Sequence, residues 1–152
     1  MKMRKEKELH RVTELSLAQQ NYIEVIHALS EKTGAARTVD LARRLGVKMP
    51  SVTEVVSRLA KAGLVERQSR HEIVLTGRGR EWAGMFDQYH MALRRFMTDV
   101  MALEATEADA LACRIEHNVD RNFIEKLIRL VDLLRERYPD VLRELEGETW
   151  KE

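Results

Sequence analysis

The chain has 152 residues with a single cysteine, and 34% of its residues are charged. This length is enough for one compact domain or two small ones, and one cysteine excludes an internal disulfide. The charged stretch MKMRKEKELHRV is not followed by an apolar segment, and no apolar run approaches the roughly 18 residues of a membrane span. These features predict a cytoplasmic protein without a membrane partner.

Charge is divided unevenly along the chain, although the formal net charge is only +1. Residues 1–80 contain 16 lysines and arginines against 9 acidic residues, whereas residues 81–152 contain 10 against 16. A basic half joined to an acidic half is typical of a polyanion-binding part linked to a part with another task. A nucleic-acid-binding element is therefore expected in the first half.

The first predicted helix begins after Ser16, which forms a capping box with Gln19 in the stretch SLAQ. The helix ends near KTGAA. Its predicted buried stripe consists of Ala18, Tyr22, Val25, Ile26 and Leu29.

Two short helices separated by a tight turn are predicted in TVDLARRLGVKMPSVTEVVSRLAKAGLV. Thr38 is the expected cap of the first helix, Gly46 permits the turn, and Pro50 suits the first turn of the second helix. Apolar residues recur at helical spacing, so the two helices can pack against each other. This is a helix-turn-helix pattern, and its second helix is the expected recognition helix.

A hairpin of two short strands is predicted in LVERQSRHEIVLT, with Ile73 and Leu75 on one face and the turn at SRH. A helix-turn-helix followed by such a hairpin is a winged helix, which predicts binding to double-stranded DNA. The candidate DNA-contacting residues are Arg37, Lys48, Pro50, Ser51, Thr53, Ser57, Arg58, Arg67, Arg70 and His71. Helix pairs with a hairpin also occur in protein-protein modules, but the basic charge, the proline-started helix and the wing together favour DNA.

Three further helices are predicted, capped by Thr76, Thr106 and Asp120. The first runs to about Thr98, and Pro139 ends the third. The third carries an apolar stripe wider than one neighbouring helix would need, formed by Phe123, Ile124, Leu127, Ile128, Leu130, Val131, Leu133 and Leu134. This width predicts a homodimer interface, and a monomeric core is the alternative.

The stretch CRIEH holds Cys113, with Glu116 three positions and His117 four positions later. Projected on a continuous α-helix, these three residues and Asp109 fall on the side opposite the apolar arc. Their side chains can therefore converge on one metal ion, although Glu116 and His117 can also be solvated surface residues. Three residues do not complete a coordination shell, and the candidates for the remaining positions are His90, Asn21 and Glu24.

The order of these parts resembles the DtxR/MntR family of metal-dependent transcriptional repressors, from about Ser16 to Leu134. The matching stretches are NYIEVI, the winged helix followed by LTGRGR, QYHMALRRFM and ACRIEH. The resemblance implies a mainly α fold, with an N-terminal winged helix-turn-helix domain over residues 1–75. An all-helical dimerisation and metal-binding domain is expected to follow over residues 76–152. The family also implies a homodimer that binds operator DNA when loaded with Fe(II) or Mn(II).

The resemblance also assigns metal ligands. Cys113 looks like the iron-responsive branch of the family, whereas Glu24 looks like the manganese branch. Arg94 stands where the iron-responsive branch carries a carboxylate for a second metal. The chain ends before the SH3-like third domain of longer members, and so resembles the short two-domain form. The family ligand positions fall on Asn21, Glu24, His90, Cys113, Glu116 and His117.

The expected mechanism is that one metal joins the two halves of the chain, because its candidate ligands come from both. In a dimer this would fix the spacing of the recognition helices, which must match half-sites about 34 Å apart. Two other functions stay open: a small metallohydrolase with Asp109 or Glu116 as base, and a metal-independent redox regulator using Cys113. The sequence contains no nucleophile motif or glycine-rich phosphate loop, so neither catalysis nor a small-molecule substrate is expected.

Overall fold

The computed structural model describes residues 15–147, which form seven α-helices, one 3-10 helix and a three-stranded sheet. The chain divides into two compact units, of which the first ends at Met85 and the second begins at Phe86. The strands are β1 (Ala36–Arg37), β2 (Val65–Arg67) and β3 (Glu72–Leu75). The helices are α1 (Leu17–Thr33), α2 (Thr38–Leu45), α3 (Met49–Lys61), α4 (Gly77–Asp99), α5 (Ala105–Ile115), the 3-10 helix (Glu116–Asn118), α6 (Arg121–Arg137) and α7 (Pro139–Gly147). The division between the units falls within α4, and the sequence-based domain boundary at residue 75 stays a prediction.

Helix α1 begins with the predicted capping box. Ser16 Oγ accepts a hydrogen bond from the Gln19 amide at 3.3 Å, and Gln19 Oε1 accepts one from the Ser16 amide at 2.9 Å. Tyr22 and Ile26 of the predicted stripe are buried in the first unit. The prediction is wrong for Ala18, which is exposed because it lies in the first turn, outside the face packed on the sheet.

Helices α2 and α3 form the predicted helix-turn-helix. Gly46 lies in the turn at φ 65°, a left-handed conformation that glycine adopts without steric cost, and Pro50 lies in the first turn of α3. The prediction that Thr38 caps α2 is wrong, because Arg37 occupies the cap position with an extended backbone that pairs with Glu72. Thr38 is instead the buried first residue of the helix.

The strands form an antiparallel sheet in the order β1-β3-β2, which completes the winged helix. Ile73 and Leu75 are buried on one face, as predicted, and residues 68–71 form the turn of the wing. Thr76 caps α4 by accepting a hydrogen bond from the Gly79 amide at 3.0 Å. A side chain at Gly79 would clash with the carbonyl oxygen of Leu64, so glycine permits this close packing of α4 on the winged helix.

The second unit contains helices alone among the described residues. Asp120 caps α6 as predicted, since its Oδ1 accepts a hydrogen bond from the Phe123 amide at 2.7 Å. The predicted cap at Thr106 is wrong, because Glu104 occupies the cap position and Thr106 lies within the first turn of α5. No helix in residues 15–147 is long and apolar enough to cross a membrane.

Two ion pairs join α6 to α4 within the second unit. Arg95 Nη2 lies 2.9 Å from Asp132 Oδ1, and Arg135 Nη1 lies 3.0 Å from Asp99 Oδ2. Both pairs are partly exposed, so they fix the register of the two helices more than they stabilise the fold. The apolar contact that holds α6 in this position comes from its buried residues Ile124, Leu127 and Val131.

Candidate metal centre and nucleic-acid interface

A change of helix type positions the CRIEH residues. The α-helix ends at Ile115, and the tighter 3-10 helix begins at Glu116. Cys113 remains on the exposed side of α5, but Glu116 turns inward and is only 2% exposed. The projection on a continuous α-helix was therefore wrong for Glu116, and its reading as a solvated surface residue is excluded.

The imidazole of His90 on α4 lies between two carboxylates. Its Nδ1 is 2.8 Å from Oε2 of Glu116, and its Nε2 is 3.0 Å from Oδ1 of Asp109. One ligand atom each from His90, Cys113 and Glu116 lies within 4.8 Å of the other two. Three predicted ligands from α4, α5 and the 3-10 helix thus converge within the second unit.

At each of the two histidines, His90 and His117, burial and the nearby carboxylates shift the pKa in opposite directions. Burial opposes the charged form of His90, but the hydrogen bond to Asp109 and the charge of Glu116 outweigh it, so the pKa of His90 is raised. The same hydrogen bond lowers the pKa of the Asp109 carboxyl. Burial lowers the pKa of His117, although the nearby charge of Glu116 opposes this shift. His117 therefore gives up its proton more readily than an ordinary histidine, and His90 less readily.

The chemistry of the converging side chains fits a divalent cation. Imidazole nitrogen and thiolate sulfur suit Fe(II), and imidazole with carboxylate oxygen suits Mn(II). A carboxylate as buried as that of Glu116 is costly without a counter-charge, which a divalent ion would provide. The exposed thiol of Cys113 leaves the group open to solvent on one side.

The other three predicted ligands are placed as follows. His117 is nearly buried beside the cluster, with Nε2 3.7 Å from Glu116 Oε1 and its ring edge-on to Phe86 at a centroid distance of 5.6 Å. Asn21 and Glu24 lie one turn apart on α1 in the first unit, and both are partly exposed. The assignment of all six residues as ligands stays a prediction.

The predicted DNA-contacting residues are all exposed in the first unit. They comprise Arg37 in β1, Lys48 before α3, Pro50, Ser51, Thr53, Ser57 and Arg58 on α3, and Arg67, Arg70 and His71 on the wing. Arg58 Nη2 lies 2.6 Å from Oε1 of Glu54, one turn away on the same helix. Such an exposed pair contributes little stability, so Arg58 can exchange it for a phosphate. Their role in DNA binding also stays a prediction.

Two residues next to the group of predicted metal ligands were not assigned as ligands from the sequence. Asp109 Oδ1 contacts His90 Nε2, and Arg94 Nε lies 3.4 Å from the same oxygen. The available signal was spacing, because Asp109 lies one turn before Cys113 and Arg94 one turn after His90. Spacing within each helix could not show that the two helices meet at these residues.

Comparison with known protein families identifies both halves of the chain. The iron dependent repressor N-terminal DNA binding domain matches residues 14–72, and the iron dependent repressor metal binding and dimerisation domain matches residues 76–140. The chain belongs to the iron-dependent repressor family. The mainly α fold, with a winged helix followed by a helical dimerisation domain, is therefore confirmed.

Named relatives of the chain are transcriptional regulators. It is 32% identical over 105 residues to the transcriptional regulator MntR of Escherichia coli, covering 69% of this chain and 67% of that protein. It is 30% identical over 128 residues to the HTH-type transcriptional regulator MntR of Lysinibacillus sphaericus, covering 84% and 91%. It is also 30% identical over 111 residues to the iron-dependent repressor IdeR of Mycobacterium leprae, covering 73% of this chain but 48% of that protein. These relatives disfavour the metallohydrolase and the metal-independent redox regulator.

Solved structures agree on the fold. IdeR of T. acidophilum matches with a TM-score of 0.68 and 24% identity, over 78% of this chain and 55% of that one. The manganese regulator SloR matches with a TM-score of 0.64 and 25% identity, over 75% of this chain and 53% of that one. The chain thus spans about half the length of these two structural relatives.

Proposed function

We propose that this protein is a metal-dependent transcriptional repressor that binds operator DNA as a homodimer when loaded with Fe(II) or Mn(II). The observation that carries the proposal is the convergence of His90, Cys113 and Glu116 in a chain whose other unit is a winged helix with exposed basic side chains. Family membership supports the same function, because the matching domains are named for DNA binding, metal binding and dimerisation. A DNA partner makes the cytoplasm the expected compartment.

The proposed coupling depends on ligands from both units. A bound divalent ion would supply one positive centre to which side chains from both units can bind. His90, Cys113, Glu116 and His117 would contribute from the second unit, and Asn21 and Glu24 from α1. In this proposal the two units have one arrangement that binds DNA and one that does not, and the shared site binds metal more tightly in the first. The difference in metal affinity sets how strongly metal favours the arrangement that binds DNA. By the same linkage, operator DNA must tighten metal binding.

The proposed subunit contact is made by the exposed apolar residues at the two edges of the buried stripe on α6. Phe123 is 48% exposed, Leu130 46% and Ile128 39%, although all three are large apolar residues. Exposed apolar residues grouped on one helix of a dimerisation domain favour a second copy of this chain as the occupant. A symmetric contact buries each residue twice, once in each subunit.

We expect Fe(II) to be the preferred effector, with Mn(II) close behind. The thiolate of Cys113 is the softest proposed ligand, and Fe(II) exceeds Mn(II) in intrinsic affinity for such sites. Glu24 and Glu116 add oxygen ligands that Mn(II) also accepts.

The test is DNA binding with and without metal. Duplexes selected from a random pool in the presence of Mn(II) are titrated anaerobically with protein in Mn(II), Fe(II) or chelator, and binding is followed by fluorescence anisotropy. We expect either metal to tighten binding by at least about 5-fold, the lower end of typical allosteric coupling. His117→Ala should lose this response while keeping the fold, whereas the control His27→Ala, outside the proposed ligand set, should keep it. Equal affinity of the unmodified protein in chelator and in metal would overturn the proposed function.

A further inference from the structure

The orientation of the His90 ring is determined by two different kinds of neighbour. Nδ1 faces Glu116, a buried member of the metal-ligand cluster, at 2.8 Å. Nε2 faces Asp109, at 3.0 Å, and Asp109 is not a member of that cluster. The two ring nitrogens therefore have different surroundings, one inside the cluster and one at its exposed edge.

We propose that Asp109 is a positioning residue that accepts the Nε2 hydrogen of His90 and so leaves Nδ1 as the nitrogen that binds the metal. This inference rests on the proposed metal-dependent function. A histidine ligand offers a lone pair on one nitrogen, and a carboxylate that binds the other N–H fixes the tautomer and the ring orientation. In this chain the carboxylate comes from α5, 19 residues after the histidine.

Arg94 also has a role in the proposal, which is to hold the Asp109 carboxylate in place. Its Nε lies 3.4 Å from the oxygen of Asp109 that contacts His90, and it follows His90 by one turn of α4. The Asp109 side chain is 61% exposed, so it would otherwise be free to turn toward solvent. The guanidinium also places a positive charge beside Asp109, which disfavours use of this carboxylate as a ligand for a second cation.

Because Asp109 is exposed, a positioning role for it can be distinguished by experiment from a structural role. An ion pair that is largely in water contributes little to the stability of a fold. Asp109→Ala should therefore leave the thermal unfolding transition nearly unchanged while altering how His90 binds metal. Glu107→Ala is the matched control, because it removes another exposed carboxylate from the first turn of the same helix.

The first measurement is the affinity of the full chain for Mn(II), read from the electron paramagnetic resonance signal of free Mn(II). Asp109→Ala should weaken binding by about 10- to 100-fold, the usual effect of losing a carboxylate behind a histidine ligand. Asp109→Asn should lose less affinity, because its amide oxygen still accepts the Nε2 hydrogen. Arg94→Gln should lie between the wild type and Asp109→Ala, and Glu107→Ala should match the wild type.

The second measurement identifies the coordinating nitrogen, which a purely structural role would not change. Protein labelled with 15N-histidine is loaded with 113Cd(II), and the 113Cd–15N coupling is assigned to one ring nitrogen of His90. We expect coupling to Nδ1 in the wild type and in Asp109→Asn, and a loss or transfer to Nε2 in Asp109→Ala. Wild-type coupling to Nε2, or an Asp109→Ala variant equal to Glu107→Ala in both measurements, would overturn the inference but leave the proposed function intact. A wild-type chain that binds neither cation would overturn both.

Discussion

The exposed apolar residues of α6 predict that Ile128→Glu will separate the subunits. Ile128 is 39% exposed in the isolated chain, and it lies beside the buried face formed by Ile124, Leu127 and Val131. Glutamate has good helix propensity, so the substitution should leave α6 intact. It introduces a charge into each of the two faces that would meet in a symmetric dimer.

The expected magnitude follows from the exposed fraction of Ile128. Complete burial of an isoleucine side chain contributes about 1.5–3 kcal/mol, so the 39% still exposed corresponds to about 1 kcal/mol in each subunit. Burying an unpaired carboxylate costs several kcal/mol more. Two copies together should weaken association by at least about 5 kcal/mol, which is roughly a 4,000-fold increase in the dimer dissociation constant.

The assay is sedimentation equilibrium over a range of protein concentrations, with circular dichroism to verify that the helices are retained. Arg129→Glu is the control, because it also adds a carboxylate but lies on the exposed side of α6 away from Phe123, Ile128 and Leu130. The control should remain dimeric where Ile128→Glu is monomeric. A folded Ile128→Glu variant with the same dissociation constant as the control would refute the placement of the interface on this face.

Three further results are expected. The affinity for DNA should fall with salt, and Arg70→Ala should make the log-log slope of the dimer shallower by about 1.8, one phosphate contact in each subunit, whereas Arg114→Ala in the second unit should not; equal slopes would remove Arg70 from the interface. Metal affinity should fall as the pH drops through the raised pKa of His90, because the metal must displace a proton from the imidazole; titration calorimetry that finds the same affinity on both sides of that pKa would argue against His90 as a ligand. Cys113→Glu should shift the preference from Fe(II) toward Mn(II) under anaerobic conditions, and an unchanged ratio of the two affinities would exclude Cys113 as the residue that sets selectivity.

The elements that depend on local chemistry were predicted well from the sequence. Ser16 and Asp120 cap their helices as expected, because a side chain of this type reaches an amide three residues away in the same segment. Thr38 and Thr106 also have side chains that can cap a helix, but both lie inside their helices. At Thr38 the difference is made by a strand pairing with a segment about 35 residues away, which no local pattern reveals.

The candidate metal site was predictable only in part for the same reason. The i, i+3, i+4 spacing identified Cys113, Glu116 and His117, but the inward turn of Glu116 depends on the change from an α-helix to a 3-10 helix. The contacts of His90 with Asp109 and Glu116 join residues 19 and 26 positions apart. These contacts depend on how α4 packs against α5, which is a property of the fold rather than of either segment.

Coupling of metal binding to DNA binding is tested by the affinity for Mn(II), measured by calorimetry with and without a saturating operator duplex. Linkage requires that DNA tighten metal binding by the same factor by which metal tightens DNA binding, which is typically about 5- to 150-fold. We predict equal factors within this range for the wild type, and a factor near one for His117→Ala. A metal affinity that does not change when DNA is bound would show that the two binding events are not coupled in this chain.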